Sequence, residues 1–349
     1  MPAAFHRQTE EGLTFPDDFY KYDKSDMKGV LQGFPNQIRQ AYKLGGEVNF
    51  EGEINKIVIT GMGGSAIAAD VLKTYLREVS DIPVIINRSY KLPEHCDKET
   101  LVIVSSYSGN TEETLSAYKD AIRKFCKIVI ITSGGKMADM SKTNRTPIIN
   151  IQKGMQPRAA LAYSFFPMLK LMENLRIMPD KSSEVDRLVQ NLEKKVFQEK
   201  GLELSEKLVD KIPLIYSSEI LSSVAYRWKT QFNENSKIMA FYNVFSELNH
   251  NEMAGTMNLN AKFHCIMLRS DLDMHRITKR MDITKDHLRK KLIDVTDIAM
   301  KGDTLLTKLF SAIYIGDWTS YYLALRYKTD PTPVEEIETF KKELGTYII

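Results

Sequence analysis

Ser105-Ser106-Tyr107-Ser108-Gly109-Asn110-Thr111-Glu112-Glu113-Thr114 is a hydroxyl-rich turn set between two different periodicities. Before it, Leu101-Val102-Ile103-Val104 is a short β-branched run of the kind that forms a fully buried strand. After it, Leu115, Tyr118, Ala121, Ile122 and Phe125 recur at helical spacing. A turn that joins a strand's C-terminal end to a helix N-terminus is where open α/β sheets bind ligands. Free N–H groups and the positive end of the helix dipole favour an anion there. Ser106, Ser108 and Thr111 add hydroxyl donors, and Gly109 permits a sharp turn. No lysine lies in the turn, so it is not the G-x-x-x-x-G-K-[ST] loop of nucleoside triphosphatases; the donors suit a phosphate monoester. Taken alone, the same residues also read as an ordinary helix cap.

Working outward, Lys56-Ile-Val-Ile-Thr60 is a strand and Gly61-Met-Gly63-Gly64-Ser65 a glycine turn, with a helix opening at Ala66. Gly61, Gly63 and Ala66 fit the dinucleotide fingerprint G-x-G-x-x-A. That fingerprint needs an acidic residue at the end of the next strand. Pro83-Val-Ile-Ile86 ends instead in Asn87-Arg88, and only Arg88 speaks for a 2′-phosphate. Gly63, Gly64 and Ser65 equally suit a smaller ligand. Lys127–Thr132 and Pro147–Ile151 complete five strands that alternate with helices, which predicts a doubly wound parallel sheet. In such a sheet the glycine turn and the hydroxyl turn share one edge and one ligand.

Pro157-Arg158-Ala159-Ala160 opens a helical stretch to about residue 208, broken at Pro179. Arg158 reads either as a cation in reach of a sugar or phosphate, or as an exposed arginine at a helix start. Lys211–Tyr226 then repeats the shape of residues 56–71, a strand, a small-residue turn and a helix, and Ala261–Asp271 is a later strand. The second half lacks the hydroxyl turn, so one phosphate site per chain is expected. Trp228–Lys237 shows little helical stripe and holds Glu234 between Asn233 and Asn235. Phe245–Gly255 packs Glu247, His250 and Glu252 into six positions. Each segment, alone, reads equally as a site or a solvated loop. The H-x-E spacing at His250 is not H-E-x-x-H and no cysteine is near, which argues against a metal. Leu305–Tyr327 is an apolar helix, Asp330-Pro331-Thr332-Pro333 a stop, and Val334–Leu344 a last amphipathic helix bearing Lys341 and Lys342. Residues 1–50 read as a mobile lead and a helical arm capped within Tyr22–Met27 and ended by Gly45-Gly46.

With 349 residues, 43% hydrophobic and 27% charged, the chain has core enough for two domains. Its 48 basic and 45 acidic residues are interspersed, which predicts neither nucleic acid nor a membrane surface as partner. Cys96, Cys126 and Cys265 form no framework, Met1–Glu10 shows no signal-type apolar region, and no apolar run spans a bilayer; a cytoplasmic protein is expected.

Gly61-Met-Gly-Gly-Ser65, Ser105–Thr111, Asn233-Glu-Asn235, Asn249-His-Asn-Glu252 and Asp330-Pro331 together resemble the bifunctional phosphoglucose/phosphomannose isomerases. These belong to the phosphoglucose isomerase branch of the sugar isomerase (SIS) domain superfamily, and the likeness covers about residues 50–345. It implies an α/β fold of two SIS subdomains in tandem, each a flavodoxin-like parallel sheet, plus a C-terminal helix. The implied organisation is an arm (1–50), a phosphate-binding domain (51–157), connecting helices (158–208), a second SIS domain (209–328) and the terminal helix (329–349). It implies reversible aldose-ketose isomerisation of glucose 6-phosphate and mannose 6-phosphate with fructose 6-phosphate, by ring opening and a cis-enediolate, without cofactor or metal. Ser106, Ser108 and Thr111 would hold the phosphate, Gly63, Gly64 and Ser65 the sugar, and Arg158 would lie beside the reacting carbons. Glu234 would be the base and His250 the ring-opening residue, supplied by the partner subunit of a homodimer. Lys341, or its neighbour Lys342, would assist. A non-catalytic sugar-phosphate sensor is the alternative, because SIS domains also serve as regulatory modules; such a protein has no need of Glu234 and His250.

Overall fold

The structure, a computed structural model, describes residues 7–9, 12–14, 19–45 and 48–345. Most of the lead over residues 1–20, Gly46 and Glu47, and residues 346–349 lie outside the described residues, so the expectations placed there are untouched. Arg7–Thr9 (β1) and Gly12–Thr14 (β2) pair antiparallel. The arm follows as two helices, Met27–Gln32 (α1) and Phe34–Tyr42 (α2), that meet at Gly33. Asp26 caps α1 by accepting from the Gly29 amide at 3.0 Å. The Asp23 carboxylate accepts from the amides of Met27 and Lys28 at 2.7 and 2.9 Å.

The first sheet holds Lys56–Thr60 (β3), Val84–Asn87 (β4), Thr100–Ser106 (β5), Lys127–Thr132 (β6) and Ile148–Asn150 (β7). Its order is β4-β3-β5-β6-β7 and every pairing is parallel. Every residue of the central β5 is buried, which is why its sequence is a continuous apolar run rather than an alternation. Gly63–Leu76 (α3), Glu112–Arg123 (α4) and Gly135–Asn144 (α5) are the crossovers. This strand order reverses direction between β3 and β5, so a ligand crevice opens outside their C-terminal ends.

The connecting stretch is three helices rather than two: Leu161–Asn174 (α6), Ser182–Leu192 (α7) and Val196–Lys207 (α8). The break at Pro179 falls where it is expected, and a second break follows Leu192. Ile212–Ser217 (β8), Phe241–Val244 (β9), Phe263–Arg269 (β10) and Asp294–Ala299 (β11) form the second sheet, also wholly parallel, in the order β11-β10-β8-β9. It repeats the first sheet's order one strand short. Its helices are Ser222–Gln231 (α9), His275–Lys290 (α10) and Leu305–Arg326 (α11). All of α11 from Leu306 to Leu325 is buried, as befits a helix apolar on every side. It runs through the middle of the molecule, where Phe310 stacks on Phe34 of the arm and meets Phe165 of α6 edge-on. Glu335–Leu344 (α12) ends the described chain with no buried residue.

Cys96 and Cys265 are buried and Cys126 half-buried. Burial pushes the Cys126 thiol up to about 12 and the Cys265 thiol upward as well, so both are inert core groups. No helix of the described residues is long and apolar enough to cross a membrane.

His264, on β10, is 2% exposed. One ring nitrogen meets the Thr296 hydroxyl at 2.8 Å and the other has no partner. Burial, reinforced by Lys211, lowers its pKa from 6.5 to about 4. The native state therefore binds this proton later than the unfolded chain, and stability falls as pH drops from about 6.5 through 4. The shift corresponds to at most about 3 kcal/mol. Urea unfolding at pH 7 and pH 4.5 should show a smaller pH-dependent loss in His264→Asn than in the parent; equal losses would refute this.

Candidate active site

The hydroxyl turn leaves β5 and enters α4, and its side chains bond one another. The Ser106 hydroxyl donates to Thr111 Oγ1 at 3.1 Å and accepts from the Gly109 amide at 3.2 Å. The Ser108 oxygen accepts from the Asn110 amide, also at 3.2 Å, and Ser108 is exposed. Thr111 sits at the N-cap position of α4, yet its hydroxyl makes no capping bond. The ordinary-cap reading is therefore not what the turn does, and the first-turn amides of α4 have no side-chain cap. Gly109 has φ +69°, and a Cβ there would stand 1.8 Å from the Gly134 carbonyl oxygen. The start of α5 thus lies hard against the turn, held also by the Lys136 amide donating to Asn110 Oδ1 at 3.0 Å.

The glycine turn leaves β3, the neighbour of β5, so both turns stand on one sheet edge. Gly63 is exposed there, and Gly64 and Ser65 are buried. A Cβ on Gly64 would come within 2.8 Å of the Pro157 carbonyl oxygen and 3.3 Å of Arg158 Cα. Glycine is what allows the 157–158 backbone to lie over the turn. Arg88 pairs with Asp70 of α3 and lies over the Tyr226 ring of the second domain. That ties the one residue favouring a 2′-phosphate to an interdomain contact and leaves the dinucleotide reading without support.

Arg158 is 3% exposed in a short 3-10 turn, Pro157–Ala159; it is not the exposed arginine of a helix start. Its Nε donates to Asn235 Oδ1 at 2.6 Å, and Nη2 to the carbonyls of Pro331 and Thr332 at 2.7 and 2.8 Å. Nη1 faces Glu234 Oε2 at 3.6 Å. Burial draws the guanidinium below its ordinary value, Glu234 opposes that and Arg227 adds to it; an arginine remains cationic throughout.

Glu234 lies where the sequence shows little helical stripe. In fact α9 continues through Gln231 and passes into a single π-turn, Phe232–Ser236. Such turns widen a helix by one residue and recur at functional sites. The solvated-loop alternative is overturned here: Trp228 and Phe232 are fully buried, Asn235 and Ser236 nearly so, and Glu234 is 28% exposed. Asn235 is held from both sides, its Nδ2 donating to the Ser320 hydroxyl of α11 at 3.0 Å. Beneath lies a buried pair, Arg227 and Asp317, joined at 3.1 Å through Nε and 2.8 Å through Nη2. Arg227 Nη2 also donates to the Arg158 carbonyl at 3.0 Å.

The structure thus gathers Gly64, Arg158 and Glu234, with the hydroxyl turn on the adjacent strand end. Within the chain it does not bring in His250 or Lys341. His250 is exposed at the end of a 3-10 turn, Glu247–His250, beside buried Leu248. Lys341 is exposed on α12 and pairs with Glu338 at 2.7 Å; Lys342 is exposed beside it. Sequence reasoning missed Asn235, Lys237, Arg227 and Asp317 as parts of this assembly. The signal for the last was present: an aspartate in the middle of the apolar run that forms α11.

Comparison with known proteins places this geometry in context. Residues 53–175 match the SIS domain, and residues 197–344 the bacterial phospho-glucose isomerase C-terminal SIS domain. A bifunctional phosphoglucose/phosphomannose isomerase of Caldicellulosiruptor bescii is 45% identical over 90% of this chain and 98% of its own length. The protein of that name from Aquifex aeolicus is 36% identical, over 90% and 97%. A solved structure, a hypothetical protein from Thermus thermophilus, aligns with a TM-score of 0.73 over 95% of this chain and 94% of its own; at 15% identity it shows the fold alone.

Proposed function

The chain belongs to the bifunctional phosphoglucose/phosphomannose isomerase family, and on that premise we propose that it interconverts glucose 6-phosphate and mannose 6-phosphate with fructose 6-phosphate. The observation that carries the proposal is the Arg158–Glu234 pair, 3.6 Å apart, beside a hydroxyl turn at the sheet's switch point. Anion donors and a carboxylate facing a fixed cation are what an aldose-ketose isomerase of a phosphorylated sugar requires.

In this reading Ser106, Ser108, Thr111 and the first amides of α4 bind the phosphate, and Gly63, Gly64 and Ser65 lie along the sugar. Glu234 removes the C2 proton and returns it to C1, while Arg158 stabilises the charge that develops on the enediolate oxygens. Ring opening falls to the partner subunit's His250, with Lys341 assisting. An imidazole suits that step because one ring nitrogen can take a proton while the other gives one. The exposure of His250 and of the whole of α12 in one chain agrees with a homodimer that covers them. The reaction is redox-neutral and calls for no cofactor, and the setting is cytoplasmic.

The test is conversion of fructose 6-phosphate in metal-chelating buffer with the two aldose products separated. Both products bear out the bifunctional reading. Glucose 6-phosphate alone restricts it to one epimer, and neither product with tight sugar-phosphate binding replaces it with the sensor. Within this site, Ser108→Ala with Thr111→Ala should raise KM by about 10²-fold, since each lost charge-assisted hydrogen bond is worth about 1.5 kcal/mol or more, with a much smaller effect on kcat. An unchanged KM would remove the turn from phosphate binding.

A further inference from the structure

The π-turn that carries Glu234 is closed by Lys237, a residue that the proposed chemistry leaves without a task. Lys237 has left-handed backbone, φ +57°, and its amide returns to the Phe232 carbonyl. Its ammonium donates to the backbone carbonyl of Glu234 itself, and reaches the Pro331 carbonyl at 3.4 Å. That Pro331 oxygen is the one that Arg158 Nη2 holds at 2.7 Å. Two cations from different elements therefore converge on one carbonyl of the turn that leads to α12. The charged groups around the ammonium are Arg158 of the 3-10 turn, Glu234 of its own segment, Asp330 of the Pro-rich turn and Glu336 of α12. Lys237 is exposed overall, yet local desolvation of its ammonium, and then Arg158, draw it below an ordinary lysine, against the three carboxylates.

We propose that Lys237 is a positioning residue for Glu234: by bridging the carbonyls of Glu234 and Pro331 it fixes the carboxylate-bearing π-turn to the turn that Arg158 also grips. The inference rests on Glu234 as the base. Asn235 and Ser236 tie one side of the π-turn to Ser320 of α11 at 3.0 and 2.7 Å, whereas the backbone carbonyl of Glu234 itself is held by Lys237. A misplacement of about 1 Å at a base costs on the order of 10²-fold in rate. Lys237 holds the Glu234 end of the turn through backbone carbonyls alone.

Lys237→Gly is the informative variant, because glycine suits φ +57° better than lysine and the fold should not suffer. It should retain the parent Tm, keep KM within about threefold and lose about 10²-fold in kcat, the magnitude expected of a displaced catalytic group. The primary isotope effect with C2-deuterated glucose 6-phosphate should rise, because proton abstraction becomes slower than the other steps. Lys237→Arg should restore most of the lost kcat. A kcat within twofold of the parent overturns the proposal, as does a loss with an unchanged isotope effect or one that arginine does not rescue. Glu234→Gln, run alongside, separates the failures. Retained turnover there defeats the base itself, whereas an inactive Glu234→Gln with a fully active Lys237→Gly defeats only the positioning role.

Discussion

Glu234→Gln is expected to lower kcat for fructose 6-phosphate by about 10³-fold, the size of effect that a positioned general base supplies, with KM changed far less. The substitution is nearly isosteric and leaves its surroundings in place. Asn235 stays held by Arg158 Nε at 2.6 Å and by Ser320 at 3.0 Å, so the π-turn keeps its anchor. What is lost is the acceptor: an amide oxygen facing Arg158 Nη1 does not take a proton from carbon. Two readouts are decisive together. Turnover should collapse, and exchange of a C1 hydrogen of fructose 6-phosphate with deuterated water should stop with it. If the variant retains turnover within tenfold of the parent, the base lies elsewhere, and Asp330 and Glu336, the other carboxylates around Lys237, become the candidates.

The part of this site that was legible in the sequence is the part built from local signals. The strands β3, β5 and β6 announce themselves as apolar runs, and the two small-residue turns follow them directly. The edge strands β9 and β11 did not, for a physical reason. Each is paired on one side only and stays partly open to solvent, so Asn243, Asp294 and Asp297 sit in them and dilute the apolar pattern. The end of α9 escapes a reading by periodicity because its buried face mixes apolar Val224, Trp228 and Phe232 with polar Arg227 and Gln231. Arg227 and Gln231 point at Asp317, and Gln231 Nε2 donates to Asp317 Oδ1 at 2.9 Å, so buried polar residues interrupt the apolar stripe of a helix that nonetheless runs on. The π-turn then shifts the helical register just where Glu234 stands. Arg158 illustrates the other limit. Its partners, Asn235 and Pro331, are 77 and 173 residues away, and no spacing rule reaches that far.

Asp317→Ala is expected to destabilise the protein by about 3–5 kcal/mol, the cost of stripping one partner from a buried ion pair. Arg227 is 1% exposed and Asp317 3%, so the guanidinium left behind has no access to water. Gln231, which also bonds this carboxylate, loses its acceptor in the same step. The pair itself is not the source of that energy. Desolvating two charges consumes most of what their attraction returns, so the double variant Arg227→Met with Asp317→Leu should recover much of the lost stability. Activity should not follow stability. Arg227 Nη2 also holds the Arg158 carbonyl at 3.0 Å, and the apolar double variant has nothing to replace that bond. It should therefore unfold at nearly the parent urea concentration while catalysing less well, because the segment that aims Arg158 at Glu234 has lost its floor. A single Asp317→Ala loss under about 1 kcal/mol would mean that water reaches the guanidinium. A fully active, stable double variant would mean that Asn235, Pro331 and Thr332 suffice to hold Arg158, and that the buried pair serves the core alone.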